Sequence, residues 1–546
     1  MSTSLIQRTA SAYDYPLLIK NLFNAPVVDN PEQEIVYRDQ LRYTYNELRH
    51  RVHRLANALT TLGVQPGDTV AVMDWDSHRY LECFFAVPML GAVLHTINVR
   101  LSAEQILYTI DHAEDDYLLV HDEFLPILEQ IKGRIDTVKQ YVLLTDLDTD
   151  PQTPLPLAGE YEVLLAAADD HFTFPDFDEN TRATTFSTTG TTGMPKGVYF
   201  SHRQLVLHTL AVMAALGTPS SQGRLHQRDV YMPLTPMFHV HAWGLPYVAT
   251  ALGVKQVYPG KYAPGSILQL VVREGVTFSH CVPTIMHMLI NHPSFKELDL
   301  SSWKVLIGGS ALSKTMCQIA MERGIDIFTG YGMSETCPIL TIAHVNRDHL
   351  EMDEEIALRC TTGRPIPLVH MRLVDEKMND LDRDGTQVGE IVVRTPWLTQ
   401  GYLKDQRNSE NLWRGGFLHT GDVAHINAEN YLTITDRIKD VIKTGGEWLS
   451  SLELEDIIGM HAGVAEVAVI GKQDSKWGER PLALIVPKKD TETPSPRQLI
   501  SHVNPFIEKG LLSKQALLLK IQVIETIDKT SVGKIDKKTL RAKYLP

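Results

Sequence analysis

The feature that most constrains this 546-residue chain is a repeated pairing of an amphipathic helix pattern with a wholly apolar strand pattern. Thr44 and Glu47 stand as a capping-box pair, and Leu48, Val52, Leu55, Leu59 and Leu62 recur at helical spacing until Gly63 and Pro66 stop them. The strand pattern 69–73 follows at once. Ser102 with Gln105 then repeats the cap, Ile106, Leu107 and Ile110 the apolar face, and 117–120 the strand. A strand without polar alternation has both faces covered, so the repeat predicts parallel sheets with helices on both sides. Similar apolar runs span 138–144, 276–281 and 303–307, each closed by Pro, Gly or Asp.

Residues 1–436 thus read as one large α/β domain, in which the Pro-rich stretch 150–156 is a surface loop. Around Asp436–Asp440 the pattern changes. A helix over 451–459, strands over 464–470 and 482–486, a helix over 496–509 and a last strand over 517–524 form a compact α+β unit, residues 437–546.

Charge and cysteine usage narrow the function. Fifty-two Lys and Arg against 66 Asp and Glu leave a net charge of −14, the wrong sign for a nucleic-acid-binding surface. Any phosphate must be held locally. The five cysteines lack paired spacing, which argues against a disulfide framework and a Cys-based zinc site, and makes a reducing cytoplasm the simplest compartment. The most apolar stretch, 84–97, is too short for a membrane span and contains Pro88 and His95, so membrane contact is expected to be peripheral at most.

The strongest chemical signal is Ser187-Thr-Thr-Gly-Thr-Thr-Gly-Met-Pro-Lys-Gly197. Gly190, Gly193 and Gly197 let backbone N–H groups converge, Thr188, Thr189, Thr191 and Thr192 add hydroxyls, and Lys196 adds a positive charge, which together suit a polyphosphate. Met194 and Pro195 separate Gly193 from Lys196, so this is not a Walker A loop.

This loop resembles the phosphate-binding motif of the adenylate-forming superfamily, which comprises acyl-CoA synthetases, luciferases and adenylation domains, and four further segments match in order. Thr329-Gly-Tyr-Gly-Met-Ser-Glu-Thr336 is similar to the family's adenine and metal motif, which implies nucleotide contacts from Thr329, Gly330, Tyr331 and Ser334 and a Mg²⁺ ligand pair of Thr188 and Glu335. Gly309, in the turn 308–310, is implied to lie along the nucleotide. Thr420-Gly-Asp422 resembles the ribose motif, with Asp422 accepting from the sugar hydroxyls. Asp436-Arg-Ile-Lys-Asp440 resembles the interdomain hinge, with Asp436 and Arg437 near ribose or phosphate and Lys439 at the pivot. Thr530-Ser-Val-Gly-Lys534 resembles the C-terminal loop whose lysine, here Lys534, serves adenylation. The usual proline is replaced by Asp528-Lys529.

By the same resemblance, Lys443 and the stretch Gly445, Gly446 and Trp448, with Arg480, serve thioester formation with coenzyme A. Met237–Pro246 resembles the acyl-tunnel segment of medium- and long-chain fatty acyl-CoA synthetases, placing His239 near the substrate carboxyl and Val240 and Trp243 in the tunnel wall. His239 and His241 lack a carboxylate or Cys partner nearby in sequence that would complete a metal site.

The implied fold is a large α/β domain of stacked sheets with helices on both faces plus a small β subdomain, followed by a small mobile α+β domain. The implied activity uses ATP, Mg²⁺ and coenzyme A to turn a medium- to long-chain fatty acid into acyl-adenylate and then acyl-CoA. The alternatives are a CoA ligase for a short branched, thioether or aromatic acid and a free-standing acyl-AMP ligase. Resemblance to long-chain synthetases also suggests a homodimer.

Overall fold

The computed structural model describes residues 4–149, 151–188, 194–218, 224–345, 350–444, 447–489, 491–508, 512–531 and 533–545, with backbone only at 447 and 448. Among these residues the chain builds sheets of seven, nine, four and five strands. The seven-stranded sheet runs Leu157–Glu160, Gln140–Leu144, Tyr117–His121, Thr69–Met73, Val93–Thr96, Arg182–Thr188 and Lys196–Ser201 in spatial order. Its pairings are parallel until the last, an antiparallel hairpin that flanks the Gly/Thr-rich loop.

The nine-stranded sheet has a parallel centre of Asp326–Gly332, Lys304–Ile307, Phe278–Cys281, Val230–Leu234, Lys255–Tyr258 and Glu34–Tyr37. The four-stranded sheet, His370–Val374, Gly389–Arg394, Leu418–Ile426 and Leu432–Arg437, is antiparallel and forms the small β subdomain. The fourth sheet belongs to the C-terminal unit.

The expected helix–strand pairs are present. Helix Tyr45–Thr61 begins where Thr44 accepts from the Glu47 backbone N–H, and buries Leu48, Val52, Leu55 and Leu59. Helix Ala103–Ala113 carries a complete capping box between Ser102 and Gln105. Strand Thr69–Met73 is buried throughout, as a strand covered on both faces must be.

Some strands start later than the apolar pattern implied. Strand Phe278–Cys281 omits Val276, which packs in the turn after Gly275 ends helix Pro264–Glu274. Trp303 is buried but precedes strand Lys304–Ile307, and its indole donates to Ser279 Oγ at 3.1 Å. In the C-terminal unit the expected strand 517–524 is divided. Lys514–Leu518 is a tight 3₁₀ turn capped by Ser513, and the strand is Lys520–Val523. Local capping there overrides the apolar run. Strands Val464–Asp474 and Gly478–Pro487 make a longer hairpin than expected.

One buried ionic network secures strand Asp326–Gly332. Asp326 accepts from Arg224, which is fully buried over the Phe328 ring, and from Arg359, whose backbone carbonyl in turn accepts from Thr329. Two guanidinium groups thus share one carboxylate beneath the segment that leads to Gly330 and Tyr331. Asp326→Ala leaves Arg224 as a buried unpaired charge, and is expected to lower unfolding stability by about 3–5 kcal/mol, read from the urea midpoint of the large domain.

Candidate active site

Parallel sheets place their loops together at the carboxyl ends of the strands, and ligands bind there. Here the turn Gly308-Gly309 after strand Lys304–Ile307, Val282 after strand Phe278–Cys281, the segment Gly330–Ser334, and His239, Val240 and Trp243 enclose one cleft. Lys534, from the C-terminal unit, enters the same cleft and leaves about 40 Å³ of free volume. Gly309 has φ +79°, and a Cβ there would stand 3.0 Å from Lys534 Cε, so glycine is required both by backbone conformation and by the close approach of the lysine.

Burial pushes the Lys534 ammonium down to about 8, Arg437 adds to the effect, and Asp422 and Glu335 oppose it. Its charge therefore depends on two carboxylates held nearby. Asp422 is buried and accepts from the Tyr331 hydroxyl at 2.6 Å, while Arg437 Nε lies 3.2 Å from its other oxygen. Tyr331 is thereby fixed by its hydroxyl, with its ring in the cleft wall. Burial drives the His239 imidazole down to about 3, with Lys534 and Arg100 pushing the same way, so it is neutral at physiological pH.

A second chain of contacts joins the hairpin that flanks the Gly/Thr-rich segment to Glu335. Thr188 and Lys196 face each other at the base of the hairpin. Lys196 Nζ sits 4.5 Å from the centre of the Tyr402 ring, and the Tyr402 hydroxyl donates to Glu335 Oε1 at 2.7 Å. Tyr402 lies outside the motifs visible in the sequence. Its link between a cation and a carboxylate that lie over a hundred residues apart arises from folding. Hydroxyl and carboxylate oxygens are the hard donors Mg²⁺ takes, so Thr188 and Glu335 fit that ion in kind. Among the described residues no group of three or more His, Cys, Asp or Glu side chains converges for a metal, so remaining ligands would be water and phosphate.

The cleft wall that carries Val240 and Trp243 has an unusual backbone. Val240, His241, Ala242 and Trp243 have φ of +50°, +54°, +48° and +59°. Left-handed conformation costs about 1–2 kcal/mol per non-glycine residue. Packing sustains it: all four are buried, and His241 is enclosed by the rings of Phe84, Phe186 and Tyr247. The turn directs Trp243 against Gly308, where an added Cβ would meet its ring at 2.8 Å, and places it beside His280.

Other expected site residues lie elsewhere. The Thr329 hydroxyl donates to the carbonyls of Arg359 and Thr361 and so anchors the strand. Asp436 accepts from the Arg437 backbone N–H and from the N–H and Oγ of Ser451, facing the C-terminal helix Ser451–Gly459. Lys439 lies in the turn between strands Leu432–Arg437 and Ile442–Thr444, at the junction of the β subdomain and the C-terminal sheet. Lys443 and Arg480 belong to that sheet and do not line the Lys534 cleft, and Arg480 Nη1 approaches Asp474 at 3.4 Å. Thr189, Gly190, Thr191, Thr192, Gly445 and Gly446, and the Trp448 side chain, lie outside the described residues.

A family model for the AMP-binding enzymes matches residues 23–403, and the model for the C-terminal domain of AMP-binding enzymes matches 453–534. A long-chain-fatty-acid–CoA ligase of Thermus thermophilus is 40% identical over 509 residues, covering 92% of this chain and 90% of that protein. A 3-methylmercaptopropionyl-CoA ligase of Ruegeria lacuscaerulensis is 37% identical over 542 residues, covering 97% of each chain. The crystal structure of the anthranilate CoA ligase AuaEII with anthranoyl-AMP superimposes with a TM-score of 0.85 at 22% identity, over 97% of this chain and 98% of that one, which establishes the shared fold. The family model spans more than half of the sequence and the relatives nearly all of it, and so the chain belongs to the AMP-binding, adenylate-forming enzymes.

Proposed function

We propose that this enzyme activates a fatty acid of medium to long chain with ATP and then transfers the acyl group to coenzyme A. The observation that carries the reading is Lys534, a desolvated cation brought by the C-terminal unit to the Gly308-Gly309 turn, beside Tyr331 and His239. In the first step a carboxylate oxygen attacks the α-phosphorus of ATP, forming a P–O bond as the bond to the β-phosphate oxygen breaks and pyrophosphate leaves. Two anions must approach, and Lys534 offsets the charge that develops. Neutral His239 adds no competing positive charge and offers a hydrogen-bonding nitrogen beside the acid.

Tyr331 stacks on adenine, Asp422 receives the ribose hydroxyls, and Lys196 with the Gly/Thr-rich loop holds the outer phosphates. Thr188 and Glu335 would hold Mg²⁺, which when bound neutralises phosphate charge. In the second step the coenzyme A thiol attacks the acyl carbonyl and AMP leaves. The two steps need different groups, and rotation of residues 437–546 about Lys439 would withdraw Lys534 and present the face carrying Lys443 to Trp448.

The fatty-acid reading draws on the apolar wall of Val240, Trp243, Val282, Leu306 and Ile339 and on the named relatives, which include a medium-chain-fatty-acid–CoA ligase of Ectopseudomonas oleovorans at 35% identity over 508 residues. A small thioether acid is the second reading. It is favoured by how little space remains with Trp243 against Gly308, and by the 37% identical ligase that covers 97% of this chain.

Three outcomes are expected. Lys534→Ala lowers pyrophosphate release by about two to three orders of magnitude and spares thioester formation from supplied acyl-adenylate, and equal loss in both steps rejects the assigned role. A lysine whose pKa is lowered to about 8 in the assembled site loses its proton as pH rises through that value, so kcat/KM for ATP should decline above about pH 8, and Lys534→Arg should move that decline to higher pH. Trp243→Ala should change the relative rates with acids from acetate and methylthiopropionate to octanoate and palmitate, raising those of the longest chains most, and an unchanged acid profile identifies Trp243 as packing alone.

A further inference from the structure

The large domain grips the Lys534 loop from a strand end that has no assigned part in the reaction. Residues Ile97–Leu101 leave strand Val93–Thr96 at its carboxyl end. Asn98, 6% exposed, donates through Nδ2 to Ser531 Oγ at 2.8 Å. Its Oδ1 accepts from the Arg100 backbone N–H at 3.0 Å, which fixes the amide with its NH₂ group toward the C-terminal unit. Arg100 Nη1 adds a donation to the Ser531 carbonyl at 3.2 Å, with its guanidinium near the rings of Phe238 and Tyr262.

Ser531 is rigidly coupled to the lysine. Thr530 N–H donates to the Lys534 carbonyl at 2.7 Å, Lys534 N–H to Thr530 Oγ1 at 3.2 Å, and Gly533 N–H to the Thr530 carbonyl at 2.8 Å. Gly533 has φ +85° and sits so near Thr284 that a Cβ would approach its Oγ1 to 2.8 Å. The tip is a self-bonded turn pressed on the large domain, and holding Ser531 holds Lys534. If the turn withdraws, the Asn98 amide exchanges Ser531 for water and the net worth of that hydrogen bond is lost.

The geometry points to Asn98 as a positioning residue, assisted by Arg100, which latches Ser531, and with it the hydrogen-bonded Thr530, Gly533 and Lys534, onto the large domain and selects the arrangement in which Lys534 can serve adenylation. The inference rests on the reading of Lys534 as the cation of the first step. It requires that the latch act on one half-reaction only, because thioester formation proceeds with the turn withdrawn.

The test is a double-mutant cycle of Asn98→Ala and Ser531→Ala, with pyrophosphate release and thioester formation from synthetic acyl-adenylate measured separately. Each single variant is expected to slow pyrophosphate release about five- to tenfold, the loss of one net hydrogen bond. The double variant should be no slower than the worse single one, and the thioester step should stay within about twofold of wild type. Equal loss in both steps, or additive losses, overturns the latch. Ser531→Ala alters only the half-buried turn, so the proposal does not hang on the folding of Asn98→Ala. If the wild type makes acyl-adenylate but no thioester, the acceptor reading fails and the cycle on the first step still judges the latch. If it makes neither, tryptic cleavage at Lys439 decides, since both variants should then be cut several-fold faster and equal rates refute the latch.

Discussion

The active cleft depends on a single demanding contact, an ammonium group brought against glycine backbone in a place where water is largely absent. Desolvation lowers the proton affinity of Lys534, and the neighbouring guanidinium of Arg437 works in the same direction. Asp422 and Glu335 counter both, and each is itself held by a tyrosine hydroxyl, Tyr331 for one and Tyr402 for the other. The two tyrosines therefore do more than present rings. They fix the carboxylates whose field helps keep the lysine charged near neutral pH.

The same contact explains the glycine pattern of the neighbouring segments. At Gly309 a side chain would meet Lys534, and at Gly308 it would meet the ring of Trp243. The lysine and the tryptophan thus crowd two adjacent glycines of one turn. The left-handed course of Val240–Trp243 costs free energy, and its position against that turn shows where the packing energy of the surrounding rings is applied.

Much of this was legible in the sequence, for definite reasons. Parallel strands covered on both faces leave continuous apolar runs, so 69–73 and 117–120 were legible, the second strand extending one residue further to His121. Helix caps are local, so Ser102 with Gln105 behaved as written. The division of 517–524 was not legible, because an apolar run does not distinguish a 3₁₀ turn from a strand when a serine cap competes. Motifs named the residues of the cleft but not the direction of their side chains. Thr329 spends its hydroxyl on the strand behind it, and Asp436 faces Ser451.

Sequence alone determined which chemical groups this protein has at its motifs: a Gly/Thr-rich loop with one lysine, a carboxylate in 329–336, a late lysine, and a net charge of −14 over the whole chain. It did so because conformational freedom at glycine and charge at lysine are properties of residue type. Only the tertiary structure decided that Lys534 meets Gly309, that Tyr402 ties Lys196 to Glu335, and that Asn98 grips Ser531 across a separation of 433 residues. Those contacts are set by which strand ends adjoin in space, and no local pattern encodes that.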